Sequence, residues 1–293
     1  MKVKIVGNGS WGKAIYSIVK LNCPTITFLK RKEIVNDCDV IILSVPTQSI
    51  RESLKYITFS GKTKIIINTA KGIEKSTHLL PYQIVRSVFG NSIHYYTLIG
   101  PGFAQEVVEK MPTLVNLGYT DRHMNAIKIK NLFQTDFFRV RLTKGVEALE
   151  LSAAFKNIYA IACGLSQGLR FGLNTRVKLM VLAIEEMNNL FIKLHLKRDS
   201  HIIAGTVGDL ILTCNSTESR NYTLGTLLAK YPAYTSLEKV NGTVEGFYSL
   251  ASLEYVKKKA GVKLPLATFV SDIVKMNNPK MIKTSFERFV SLT

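Results

Sequence analysis

The sequence is short of acidic residues, of cysteine and of long apolar runs. No apolar stretch reaches the ~18 residues that a bilayer-spanning helix needs, so a membrane span is not expected. Lys2 and Lys4 interrupt a first short strand that runs directly into glycines. Without an apolar segment there, no secretion signal is expected. The only cysteines are Cys23, Cys38, Cys163 and Cys214, and no two of them form a CxxC pair. Their number and spacing do not suggest a disulfide framework and fit a reducing, cytoplasmic setting. The five histidines (His78, His94, His123, His195 and His201) form no ligand cluster with them, so no metal site is expected. Internal repeats and low-complexity segments are also missing.

Acidic residues number 21 against 39 lysines and arginines, giving a net charge of +18. Such a balance raises the question of nucleic acid or a membrane surface. The basic residues, however, are spread along the chain. Only Lys30-Arg31-Lys32 and Lys257-Lys258-Lys259 cluster, and no nucleic-acid motif accompanies them. The expectation is therefore a lysine-rich surface plus a site for an anionic small molecule, with no nucleic-acid partner. A homodimer is compatible with this reading.

The chain has 293 residues, 46% hydrophobic and 20% charged, a globular balance with length for two ordinary domains. Residues 2–6 alternate and end in glycine, as a first strand does, and Ala14 to Leu21 follows as a helix. Thr25 to Leu29 is β-branched and aromatic, a second strand. Asp39 to Val45 and Lys64 to Asn68 are continuous apolar runs, the pattern of parallel strands covered on both faces. Ile93 to Ile99 and Thr113 to Leu117 continue the series. Strands alternating with helices imply an α/β, doubly wound Rossmann-type domain. The pattern changes near Gly145. Gly145 to Leu169 contains no proline and is rich in Ala, Leu and Ile, reading as a helix. Further helices are expected from Asn174 to about Leu196, around Ser219 to Lys230, and from Glu245 onward. The expected division is a dinucleotide-binding domain over 1–144 and an all-helical substrate domain over 145–293.

Gly7, Gly9 and Gly12 match the G-x-G-x-x-G spacing between a strand and a helix. One glycine allows the tight turn, one lets a pyrophosphate approach the backbone, and one allows close helix–strand packing. The end of the second strand carries Lys30 and Arg31 where NAD-selective domains usually place an acid for the ribose. Cations there suit a 2′-phosphate, so the reading leans to NADP over NAD, although Glu33 remains an alternative ribose partner. Val45 and Lys71 sit at strand ends, which face the ligand in such sheets. Lys156-Asn157 interrupts an apolar helix, where burial would lower the pKa of an ammonium and suit it to general acid–base work. Ser219 reads as an N-cap, placing Arg220 and Asn221 in a helix first turn that favours an anion.

Taken together, the motifs resemble the bacterial-type NAD(P)-dependent glycerol-3-phosphate dehydrogenases. The matching segments are Gly7 through Ala14, Ser44 through Gln48, Lys71 through Glu74, Gly100 through Val107, and Glu150 through Gly164. Gly208-Asp209-Leu210 with Thr213-Cys214, Ser219-Arg220-Asn221 and Val244-Glu245-Gly246 complete the order. The resemblance implies reversible reduction of dihydroxyacetone phosphate to sn-glycerol 3-phosphate, feeding glycerophospholipid synthesis. By it, Lys156 is the proton acceptor, and Lys71 contacts both cofactor and substrate. Gly100 and Gly102 flank the substrate, and Asp209, Ser219, Arg220 and Asn221 form its pocket. Ser10, Trp11, Ala104, Arg220, Thr243 and Glu245 match cofactor contacts. Two departures stand out. Only seven residues, 32 to 38, separate Arg31 from Asp39, shorter than is usual in the family, which implies a reduced adenosine side. Gly102 stands where the family usually carries a hydroxyl or amide. The alternatives are another two-domain reductase of the hydroxyacid or ketopantoate type, or a non-catalytic basic binding protein.

Overall fold

The structure is a computed structural model that describes residues 1–30, 38–59, 64–120 and 123–293. Arg31, Lys32, Glu33 and nearly all of the short 32–38 segment lie outside the described residues. The chain divides into two compact units. Unit 1 comprises Met1–Leu151 and Lys197–Gly208, and unit 2 comprises Ser152–Leu196 and Asp209–Thr293. The proposed boundary at 144/145 precedes this division by a few residues, and the return of 197–208 to unit 1 has no local sequence signal.

Unit 1 is built on a seven-stranded sheet of order β2-β1-β3-β4-β5-β6-β7. The strands are β1 (Val3–Val6), β2 (Thr27–Phe28), β3 (Val40–Leu43), β4 (Ile65–Asn68), β5 (His94–Ile99), β6 (Thr113–Tyr119) and β7 (Phe138–Thr143). Its helices are α1 (Ser10–Asn22), α2 (Ile50–Leu54), α3 (Pro81–Phe89), α4 (Ala104–Val108) and α5 (His123–Phe133). The first five strands in spatial order pair in parallel, with Val3 opposite Val40, Val40 opposite Ile65, and Asn68 opposite Thr97. β3 and β4 are buried on both faces, as their continuous apolar runs require. Along β3, Val40 and Ile42 join the cluster containing Ile15 and Ile18 of α1. Ile41 and Leu43 join the opposite cluster containing Ile50, Leu54 and Ile84. That alternation is the two-residue period of a strand expressed in packing.

Two features go beyond the sequence reading. β6 runs antiparallel to β5, with Ile99 opposite Asn116, and β7 then pairs in parallel with β6. β7 was not anticipated, although its alternation is plain: Phe138 and Val140 are buried while Arg139 and Arg141 are exposed. The arginines belong to a sheet edge, where charged side chains oppose further strand addition.

The helix α6 (Val146–Gly168) begins in unit 1 and continues into unit 2. It is buried almost throughout, which explains its lack of a polar face. Unit 2 adds α7 (Leu173–Lys193), α8 (Asp209–Cys214), α9 (Arg220–Leu228), α10 (Ala233–Glu238), α11 (Glu245–Ser249), α12 (Leu253–Ala260), α13 (Pro265–Ile273) and α14 (Pro279–Leu292). Glu186 of α7 ties three of these together. Its carboxylate accepts from Tyr159 Oη at 3.0 Å and from the Leu266 and Ala267 N–H groups at 2.5 and 3.2 Å. Those amides are orphan donors of the first turn of α13, which starts on Pro265. Burial pushes the Glu186 carboxyl up to about 7, against the N–H and hydroxyl bonds that pull it down.

All four cysteines are buried and unbridged. Among the described residues, no helix is long and apolar enough to cross a membrane, and no group of three His, Cys, Asp or Glu side chains is placed to hold a metal.

Candidate active site

In unit 1 the glycine motif sits where the sheet order reverses. β1 lies between β2 and β3, so the connections after β1 and β3 leave in opposite directions, and ligands bind at such a point. The three glycines have distinct geometric reasons. Gly7 has φ +107°, and a Cβ there would stand 2.4 Å from the Ser44 carbonyl oxygen. A Cβ on Gly12 would stand 2.1 Å from the Gly7 oxygen. A Cβ on Gly9 would meet nothing within 4 Å. Turn, close packing and open approach are thus separately realised. Gly9 is the N-cap of α1, with no side-chain cap and no acid in the first turn. The helix start, with Ser10 exposed on it, therefore presents N–H groups and a favourable dipole to an anion.

Beside this cradle, the Trp11 indole Nε1 is buried without a hydrogen-bond partner. Its ring lies 5.9 Å from the Lys71 Nζ, and a Cβ on Gly102 would lie 3.5 Å from it. Gly102 is therefore not required by sterics. Gly100 is, because a Cβ there would stand 2.7 Å from Val115 Cα. Lys71 follows β4 and donates to the Gly100 carbonyl at 3.0 Å. The segment after it is clamped. Gln48 donates to Ile73 O at 2.7 Å and accepts from Lys75 N at 2.9 Å. Arg51 bonds both oxygens of Glu74. Burial raises the Glu74 carboxyl, but Arg51 and Thr77 outweigh it and hold the group below its usual value. Ala104 opens α4 and packs with Trp11 against the core of this face. Lys30 is exposed just after β2. Arg31, its neighbour, lies outside the described residues.

A second network, not anticipated from sequence, backs this turn. Glu150 of α6 is 1% exposed and receives the Tyr95 hydroxyl, Asn68 Nδ2 at 3.3 Å and Tyr82 N at 2.8 Å. The Thr97 hydroxyl bonds it as well. Burial pushes this carboxyl up to about 7, and the four donors only partly offset that.

In unit 2, Lys156 is 5% exposed on α6 and donates to Asp209 Oδ1 at 2.8 Å and to Thr213 Oγ1 at 2.6 Å. Asp209 and Thr213 are i and i+4 on α8, so one helix face presents both. The Thr213 hydroxyl donates back to Asp209 O at 2.6 Å. The partner of Lys156 is a finding of the structure: the lysine is buried as expected, but with a carboxylate against it.

Ser219 is the N-cap of α9, its hydroxyl accepting from Tyr222 N at 3.3 Å, and Arg220 and Asn221 occupy the first turn. Asn221 is buried and accepts from Gly246 N at 2.9 Å. A Cβ on Gly246 would stand 2.5 Å from Asn157 O, so this glycine draws the segment carrying Thr243 and Glu245 against the residue next to Lys156. Gly242, at φ +91°, leaves room for the Arg220 guanidinium, whose Nη1 would be 2.7 Å from a Cβ there. The catalytic lysine candidate and the anion-binding turn are thereby joined through Asn157, Gly246 and Asn221.

The family description "NAD-dependent glycerol-3-phosphate dehydrogenase C-terminus" matches residues 145–283, and its N-terminus counterpart matches residues 30–125. The chain belongs to the NAD-dependent glycerol-3-phosphate dehydrogenase family. It is 31% identical over 299 residues to glycerol-3-phosphate dehydrogenase [NAD(P)+] of Staphylococcus epidermidis, covering 95% of this chain and 90% of that one. It is 32% identical to the Staphylococcus saprophyticus enzyme of the same name, covering 92% and 86%. Among solved structures, glycerol-3-phosphate dehydrogenase from Coxiella burnetii matches with a TM-score of 0.86 at 23% identity over 98% of both chains. A D-mandelate dehydrogenase shares the fold less closely, at 0.60 and 15% over 94% and 98%. The two-domain reductases weighed as alternatives are thus relatives in fold at a greater distance.

Proposed function

We propose that this chain reversibly reduces dihydroxyacetone phosphate to sn-glycerol 3-phosphate with NADH or NADPH. The observation that carries the mechanism is the buried Lys156 ammonium held by Asp209 and Thr213.

The residues of unit 1 fit a dinucleotide. The open space at Gly9, the uncapped start of α1 and the unpartnered Trp11 indole N–H would receive it, with Ser10 and Ala104 alongside. A nicotinamide held there would supply reversible hydride chemistry at the substrate carbonyl carbon. Lys156 gives its proton to the carbonyl oxygen as the hydroxyl forms and recovers it in reverse. Asp209 and Thr213 fix the direction of the Lys156 side chain, a positioning effect that contributes through geometry. Arg220, with its planar paired donors, and Asn221 bind the phosphate at the start of α9. Ser219 caps that turn through its hydroxyl and completes the pocket beside Arg220 and Asn221. Lys71 contacts cofactor and substrate, with Gly100 and Gly102 beside it. Thr243 and Glu245 contact the cofactor.

Lys30 and Arg31 favour NADP by offering cations to a 2′-phosphate. The physiological setting is a cytoplasm, the product feeds glycerophospholipid synthesis, and the assembly is a homodimer. Steady-state rates with dihydroxyacetone phosphate and each reduced cofactor test the proposal. Turnover of a 2-oxo acid without turnover of the triose phosphate would reject it. A higher kcat/KM with NADH than with NADPH would reject the cofactor preference.

A further inference from the structure

The structure assigns Glu150 a positioning role: through Asn68 it sets the backbone that presents Lys71. This rests on the reading of Lys71 as a ligand-contacting residue.

Asn68 ends β4 and is fully buried. Its side chain brackets one residue: Oδ1 accepts from Ala70 N at 2.9 Å, and Nδ2 donates to Ala70 O at 3.1 Å. Ala70 immediately precedes Lys71. An amide can be turned over, exchanging its oxygen and nitrogen, and the turned form would lose both bonds to Ala70. The same orientation is reinforced from the other direction on the Nδ2 side, where the group also donates to Glu150 Oε1 at 3.3 Å and to Thr97 Oγ1 at 3.2 Å. An ionised Glu150 has only acceptors to offer, and the nitrogen side of Asn68 is the one that can donate to it. Glu150 is itself held by the Tyr95 hydroxyl, the Thr97 hydroxyl and the first-turn Tyr82 N–H of α3. Each known contact of this carboxylate is thus a donor on sheet or helix. From Glu150 through Asn68 and Ala70 the chain of bonds ends at Lys71, whose Nζ is then fixed on Gly100 O.

Replacing Glu150 with glutamine keeps the shape and adds a donor. Whichever way that amide lies, its NH2 meets either the Tyr82 N–H or the Asn68 NH2, and the second case turns Asn68 over. Glu150 touches no ligand in this scheme, so its effect must vanish when Lys71 is gone.

The test is a double-mutant cycle on kcat/KM with dihydroxyacetone phosphate, using Glu150→Gln, Lys71→Ala and the double variant. We expect Glu150→Gln to lower kcat/KM roughly tenfold in the parent and less than about twofold in the Lys71→Ala background. The Ala70 amide should exchange its hydrogen faster in Glu150→Gln. Equal losses in both backgrounds, or unchanged Ala70 exchange, overturn the assignment. Lys71→Ala alone decides the reading it rests on: if that variant keeps parental kcat/KM, Lys71 is not a ligand contact, and a loss in Glu150→Gln then has another cause. If Glu150→Gln fails to fold, Tyr95→Phe and Asn68→Ala in the same two backgrounds give the same decision.

Discussion

Lys156 Nζ and Asp209 Oδ1 lie 2.8 Å apart with side chains 6% and 1% exposed. A buried pair of this kind contributes little net stability as a pair, but removing one partner leaves an uncompensated charge and costs about 3–5 kcal/mol. Lys156→Met should reduce kcat by ~10²–10⁴, the range for a lost general acid–base group. Asp209→Asn should retain more activity than Lys156→Met, because it removes an orienting partner and not the proton carrier. Rates of both variants at saturating cofactor check this. A Lys156→Met enzyme within a few-fold of the parent would remove the lysine from the mechanism.

The glycines should separate folding from cofactor binding. Gly12→Ala forces a Cβ to 2.1 Å from the Gly7 oxygen and should lower the melting temperature. Gly9→Ala adds a methyl to open space, so the melting temperature should stay within a degree or two while the Kd for the dinucleotide rises about tenfold or more. Calorimetric melting and a nucleotide fluorescence titration read the two effects independently.

Arg220→Lys keeps the charge at the first turn of α9 but loses the paired donors. It should raise KM for the triose phosphate by roughly tenfold, about 1.4 kcal/mol, with a smaller change in kcat. Steady-state kinetics at fixed cofactor give the split, and an unchanged KM would move the phosphate site elsewhere.

Glu150 and Glu186 are both raised from 4.5 to about 7 by burial. Each therefore binds more proton folded than unfolded across that interval. The stability they contribute is complete below about 4.5 and is lost as pH rises through about 7. Glu186→Gln keeps the side-chain volume and removes one such titration. The stability difference between parent and Glu186→Gln should shrink between pH 5 and pH 8 in urea unfolding. A difference that grows with pH would contradict the burial effect.

The glycine motif, the Ser219 cap and the buried position of Lys156 were legible because each depends on a few neighbouring residues. Local backbone geometry dictates Gly7 and Gly12, and an apolar helix with one lysine in it announces a buried cation. Asp209 as partner of Lys156 was not legible as such, since they stand 53 positions apart in the chain and only the fold closes that distance. The same holds for Glu150 and Glu186. Pro81 and Pro265 mark helix starts in the sequence, but which distant carboxylate satisfies the N–H groups behind them depends on packing. The reversal of β6 escaped because composition carries no strand direction. β7 had its alternation in view, with arginines on the outer face of an otherwise apolar pattern.

The four buried thiols have a practical consequence. Cys23 and Cys38 belong to unit 1, and Cys163 and Cys214 to unit 2. A disulfide-exchanging dye added to the native protein should therefore find almost nothing to react with. Each sulfur becomes visible only when its own surroundings open. Identifying which cysteines label first, by mass spectrometry under mild denaturation, would time the opening of each half of the molecule with a clock already built into its sequence.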